Sequence, residues 1–268
     1  MSGSQLHPLR WLRAGVVAGV ALCGSLCAQA PYYTAAGIGN ASDYSAGPFA
    51  PGSVLSLYGT NLAWTTAAIT AAELAAGSLP TQLAGAEVMV DNVPVPMLYA
   101  SPTQVNFLMP IEQIPGDVSV TEVRQGQRGP AVTIPLVAAA PALFAAAGGF
   151  VLAQDWNTGY TLMTAAAPAN AGDIVILYAT GLGYTSPPWV SGAVPQHAFQ
   201  IASKSSLQVL LDGTPVDPSL ILYAGVTPGF LGLYQVNFKL PAGASANPEI
   251  RVQMVTRISI PAIHLAVN

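Results

Sequence analysis

The stretch TQVNFLMP at residues 103–110 returns as YQVNFKLP at residues 234–241. A motif that performs chemistry usually occurs once, because one pocket holds the reacting groups. A motif that sets the geometry of a fold is copied whenever the fold is copied. Alternation sends Val105 and Phe107 to one face and Gln104, Asn106 and Leu108 to the other. In the second copy Val236 and Phe238 stand opposite Gln235, Asn237 and Lys239. Each reads as a strand with one packed face and one polar or half-polar face.

Working outward, APGSVLSLYGTNLA (residues 50–63) aligns with NAGDIVILYATGLG (residues 170–183) at an offset of 170 − 50 = 120. VMVDNVPVPMLYA (residues 88–100) matches VLLDGTPVDPSLILYA (residues 209–224), with Asp91 over Asp212 at an offset of 121. QVNF follows at 235 − 104 = 131, and the endings PAVTIPL (residues 130–136) and PAIHLAV (residues 261–267) keep that offset. The offset grows only between motifs, where loops lie. VLSLYG and IVILYA are short apolar runs that stop at turn residues, as buried strands do. Asp91-Asn92 and Asp212-Gly213 each sit between apolar arms, and these residue types tolerate the positive φ of a tight hairpin. A closing strand pair is expected over residues 117–124 and 132–137, and again over 249–255 and 258–267. The one fair helix candidate is the Ala-rich run at residues 65–77, ended by Gly77. The expected architecture is all-β, with two tandem immunoglobulin-like β-sandwich domains arising from an internal duplication, at residues 31–140 and 141–268.

Composition narrows the function. Charged residues make up 7% of the 268, with Lys+Arg 8 against Asp+Glu 12. That balance lacks the basic footprint needed for nucleic acid or a polybasic membrane contact. Arg10 and Arg13 precede the apolar run AGVVAGVALCGSL, which gives way to CAQAPYY. This reads as a signal peptide at residues 1–28, with cleavage after Ala28 or, less comfortably before Pro31, after Ala30. The run is too short to span a bilayer, and Pro and Gly interrupt every later apolar stretch, so no integral membrane segment is expected in the mature chain. Both cysteines, Cys23 and Cys27, fall inside the signal. Neither follows the small residue that a lipid-anchor site prefers. A secreted or surface protein, periplasmic as a variant of that, is therefore expected to hold together by core burial without disulfides.

The order of YGTNLA, LPTQLAGAEVMVDNVPVPMLYASPTQVNFLMP, AAPALF, PANAGDIVILYATGLG and YAGVTPGFLGLYQVNFKLP resembles secreted bacterial proteins that carry the Solibacter-type uncharacterised C-terminal domain. More distantly, the strand, G-T-N turn and V-x-V-D/N-G pattern resembles the immunoglobulin-like IPT/TIG domains of plexins and transcription factors. The resemblance covers essentially the whole mature chain. It implies the fold and export, and implies no activity.

Hydrolysis, the chemistry most compatible with export, finds few candidate groups. Beyond the signal the histidines are His197 and His264, the chain has no G-x-S-x-G elbow, and no cysteine is left for thiol catalysis. Most acidic residues fall in turns, with Asp91 and Asp212 at equivalent hairpins. Asp155 and Asn157 in QDWNTGY alternate oxygen side chains before a glycine and form a weak calcium candidate, beside the simpler reading of a β-turn. Zinc is not expected, nor is any cofactor. Trp64 directly follows YGTNLA and Tyr184 directly follows YATGLG, so one loop tip carries a ring in both copies, and Trp189 lies further along the second loop. Such rings serve either ligand stacking or the sealing of a domain end. The amides Gln104, Asn106, Gln235 and Asn237 are expected to satisfy backbone groups of the neighbouring G-T-N or A-T-G turn. The expected role is an exported, non-enzymatic binding or adhesion protein that meets extracellular polysaccharide or a surface protein. One alternative is a self-assembling homo-oligomer in which residues 31–47 lend a strand to a neighbour. The other is an unrecognised extracellular hydrolase.

Overall fold

The computed structural model describes residues 29–268. The signal peptide read at residues 1–28, with its two cysteines, lies outside them. Gln104–Leu108 is the central strand of a five-stranded antiparallel sheet ordered Ile38–Asn40, Val54–Tyr58, Gln104–Leu108, Met97–Ala100, Ala67–Ala68. The facing sheet is built on Ala86–Val90 and Gly116–Arg124, with Val132–Leu136 closing against Gly116–Arg124. The second half repeats the arrangement, with Ile174–Thr180, Tyr234–Lys239 and Ile221–Val226 adjacent in one sheet and Leu207–Leu211 beside Ile250–Met254 in the other. The protein is thus all-β, two immunoglobulin-like sandwiches in tandem.

The inward face of QVNF does what its alternation predicts. Val105 and Phe107 are fully buried among Leu55, Leu57, Val88 and Val120, and Val236 and Phe238 are buried among Val175, Leu177, Val209 and Val252. Burying one such Phe contributes about 1.5–3 kcal/mol. The hairpin reading also holds at atomic level. Asp91 and Asn92 have φ of 49° and 65°, and Asp212 and Gly213 have 48° and 76°. In each copy the turn aspartate accepts a backbone N–H from the facing strand, Ser119 to Asp91 and Glu249 to Asp212, both at 2.9 Å.

A β-bulge recurs at the same point of both copies. Met97 pairs with Phe107 and Tyr99 with Asn106, so Leu98 is the extra residue; Ile221 pairs with Phe238 and Tyr223 with Asn237, so Leu222 is. The bulge lets Met97 and Ala100, and likewise Ile221 and Ala224, all face the core while both tyrosines turn outward.

Three expectations are corrected. Leu108 does not lie on a half-exposed face: with Val54, Leu79 and Ile111 it joins the core cluster of the second half and is fully buried. Of residues 65–77 only Ala71–Ala75 is helical. Ala67–Ala68 is a strand against Met97–Ala100, and Ile69 donates its N–H to Leu98, so sheet pairing overrides alanine propensity until Thr70 and Glu73 form a capping box. The final strand expected over residues 258–267 reduces to Arg257–Ile258 because Pro261 cannot donate to a ladder, and isolated bridges at His264 and Val267 replace it.

The halves are joined by directional bonds as well as apolar contact. Val54 N–H donates to Thr180 Oγ1 (3.2 Å), Ile111 N–H to Ser191 Oγ (2.7 Å), and Leu79 N–H to the Gly192 carbonyl (3.0 Å). Residues 31–47, read as a strand for a neighbouring molecule, contribute Ile38–Asn40 to the edge of their own sheet. No helix among the described residues is long and apolar enough to cross a membrane.

Candidate functional site

The outward face of the central strand carries the amides. Residues directly opposite each other across antiparallel strands share a face. Tyr58 therefore stands beside Gln104, Ser56 and Tyr99 stand on either side of Asn106, and all five lie on the outer side of the sheet. The second half repeats the pattern, with Tyr178 beside Gln235 and with Ile176 and Tyr223 flanking Asn237. The tyrosine and amide positions are thus identical in the two copies, and Ser56 is replaced by Ile176.

The amides do not serve the neighbouring turns, contrary to expectation. Asn106 Oδ1 accepts from Ser56 Oγ and from Gln104 Nε2, both at 2.9 Å, so the partners are side chains of the same face. The turn before the strand is held by Ser101, whose Oγ accepts the N–H of Gln104 (3.0 Å). Asn237 Oδ1 is buried without a hydrogen-bond partner. Both donors of the first copy are missing there: Ile176 has no hydroxyl where Ser56 has one, and Gln235 does not repeat the bond that Gln104 makes.

Asn106 also opens onto a cleft of about 290 Å³ between the halves. Its floor is Val54, Leu98 and Asn106, one wall is Ile69 and Leu74 before and within the short helix, and Phe230 of the second half closes the other side. Phe230 is half-exposed.

The loop-tip rings do not converge. Trp64 is 47% exposed, with the Arg124 guanidinium 3.9 Å over its ring. Tyr184 donates its hydroxyl to the Gln113 carbonyl (2.7 Å) and so ties the second half to the first. Trp189 is not an exposed ring: it is 3% exposed and donates Nε1–H to the Ala193 carbonyl (2.8 Å). The ring joins the core cluster of the second half, and its loop pairs with residues 77–79 of the first. Asp155 and Asn157 do not point to a common centre. Asp155 Oδ1 accepts the N–H of Asn157 (2.8 Å), and Asn157 Oδ1 accepts the N–H of Ile174 (2.9 Å), so both oxygens serve the turn. No group of three or more metal-ligating His, Cys, Asp or Glu side chains occurs among the described residues.

Sequence reasoning missed the end of the first sandwich below Trp64. Glu122 and Arg124 share the inward parity of Val118 and Val120. Glu122 is fully buried, neither carboxylate oxygen has a hydrogen-bond partner, and burial raises its pKa to about 8 despite the pull of Arg124. Its own N–H donates to Tyr33 Oη (2.6 Å), and burial, with Glu122 adding to it, pushes the Tyr33 hydroxyl up to about 12. Arg124 donates to the Gln29 carbonyl, fastening the start of the described chain to this end. The alternation TEVR was the available signal, since it places two charges on the core side of a strand.

No family model matches the chain, and no curated protein matches it. The Solibacter-type resemblance therefore rests on its motifs alone. Among solved structures, a surface glycan-binding protein from a xyloglucan utilisation locus of Bacteroides uniformis aligns over 88% of this chain and 50% of its own, at 10% identity and TM-score 0.25. Domains 5–6 of the S-layer protein SbsC align over 89% and 99%, at 11% identity and TM-score 0.25. The tandem Ig repeats of Dlar align over 90% and 95%, at 11% identity and TM-score 0.21. The chain spans half or less of the two surface glycan-binding proteins, from Bacteroides uniformis and Prevotella bryantii, that it matches.

Proposed function

We propose that the protein is an exported, non-enzymatic binding or adhesion protein that recognises carbohydrate or a surface protein outside the cell. The observation that carries this reading is the cleft between the halves. Binding sites are concave and mostly apolar, with a few placed polar groups that set orientation. The cleft has apolar walls, the Asn106 amide on its floor and a half-exposed aromatic ring, Phe230, at its side. Its two sides belong to different sandwiches held together by hydrogen bonds, so little ordering is needed when a ligand arrives. Of the three loop-tip rings, Trp64 is the most exposed, and its contribution is separable from that of the cleft.

The test is retention on a panel of immobilised polysaccharides and on outer-surface protein extracts, with Phe230→Ala and Trp64→Ala compared in parallel. Retention that falls with Phe230→Ala supports the cleft. Wild-type protein retained on neither panel refutes the reading. Turnover of a polysaccharide by the purified chain would replace it with the hydrolase alternative.

A further inference from the structure

Both halves carry the same outward constellation, two tyrosines flanking a glutamine and an asparagine, yet the hydroxyls have different fates. In the second half Tyr178 donates to Gln154 Oε1 (2.6 Å). Tyr223 lies back over Gly225 and donates to the Val226 carbonyl (2.9 Å); a Cβ at Gly225 would come within 2.4 Å of that hydroxyl oxygen. Those two groups are already spent on the protein. In the first half, neither the Tyr58 nor the Tyr99 hydroxyl has a protein partner among the described residues, and Tyr58 is 39% exposed. The Asn106 acceptor is occupied by Ser56 and Gln104, which fixes the amide plane and leaves Nδ2 as its uncommitted donor, on a residue that lines the cleft.

We propose that the outer face of the first-half sheet, Tyr58, Tyr99, Gln104 and Asn106 leading into the cleft, is the binding floor for an uncharged glycan, and that its copy in the second half is closed to ligand. This rests on the reading above and assigns its ligand class and residues. The floor holds no carboxylate, ammonium or guanidinium group, so nothing rewards an anionic or cationic ligand. The backbone of Gln104–Leu108 is hydrogen-bonded on both sides, so a peptide cannot add as a strand there and recognition falls to side chains. Rings with free hydroxyls beside an oriented amide match a pyranose, which offers an apolar C–H face and a rim of hydroxyls.

The test is calorimetric titration of the chain with cellohexaose and mannohexaose, with hexagalacturonic acid as the charged comparison. Tyr58→Phe/Tyr99→Phe keeps both rings and removes both hydroxyls, so the fold is retained and thermal melting checks it. The expected result is binding of a neutral hexasaccharide by the wild type, weakened about tenfold or more in this double variant. Tyr178→Phe should leave affinity unchanged. Equal affinity in the double variant and wild type, or a preference for the charged oligosaccharide, overturns the floor while leaving a glycan-binding protein. Failure of every neutral oligosaccharide to bind, with retention on a surface protein, overturns the glycan assignment and leaves the broader reading standing. Failure on both counts removes both.

Discussion

Ser56 donates its hydroxyl to the amide oxygen of Asn106 across a strand pair, at 2.9 Å, and the corresponding residue opposite Asn237 is Ile176. The two asparagines of the repeated motif therefore have opposite energetic roles. Asn106→Ala leaves the Ser56 hydroxyl and the Gln104 amide without their acceptor and should cost about 1–3 kcal/mol. Asn237→Ala removes a buried acceptor that has no donor, and its effect should be near zero or stabilising. Urea unfolding of both variants checks the difference; equal destabilisation would contradict the arrangement.

Glu122 should make the protein less stable as the solution becomes more alkaline. Its carboxyl titrates near 4.5 when exposed and about 8 in the fold, so between these values the folded chain binds more protons than the unfolded one. Stability from this group is therefore complete below about pH 4.5 and is lost progressively as pH rises to about 8. The full swing is on the order of a few kcal/mol, at roughly 1.4 kcal/mol per pH unit. Glu122→Gln does not titrate, so its melting temperature should vary less between pH 5 and 8 and exceed the wild-type value at pH 8. Parallel slopes for the two proteins would show that the carboxyl is hydrated.

Two glycines with similar positive φ should respond differently to alanine. Gly213 has φ 76° and nothing near its missing Cβ, so Gly213→Ala should cost only the left-handed backbone penalty, about 1–2 kcal/mol. Gly181 has φ 73°, but a Cβ there would lie 2.2 Å from the Ala140 carbonyl oxygen, which is backbone and cannot swing aside. Gly181→Ala should add a clash of about 1–3 kcal/mol to the same penalty. Denaturant midpoints compare them directly.

The described tryptophans should divide into two classes. Trp64 and Trp156 are about half-exposed, whereas Trp189 is buried. Acrylamide should quench the first two readily and barely touch the third. A protein beginning at residue 29 and carrying Trp64→Phe and Trp156→Phe should emit from Trp189 alone, at short wavelength. Ready quenching of that emission would mean that the Trp189 ring stands away from the core it joins.

The sheets were legible because their information is local. The inward pair Val105 and Phe107 follows from period-two alternation, and the Asp91-Asn92 and Asp212-Gly213 turns follow from residue type. What escaped depends on contacts between distant segments. Leu108 is buried in the core cluster of the other half of the chain, and Trp189 in a core assembled from strands far from it in sequence, which no window around either residue contains. Tyr99 escaped for another reason: strict alternation places it on the same face as Met97, and only the extra residue Leu98 turns it outward. The helix over residues 65–77 was overestimated because composition carries no record of the strand that Ala67 and Ala68 join.

The bulges at Leu98 and Leu222 also order events in the history of the chain. A register slip at the same place in both copies is most simply inherited once, so it was present when there was a single sandwich. The outward tyrosine that the slip aims is then ancestral too. Serine against isoleucine at 56 and 176, and free against tethered hydroxyls, arose afterwards. Duplication supplied a spare copy of one surface, and the copies have since diverged in the chemistry they leave open to their surroundings.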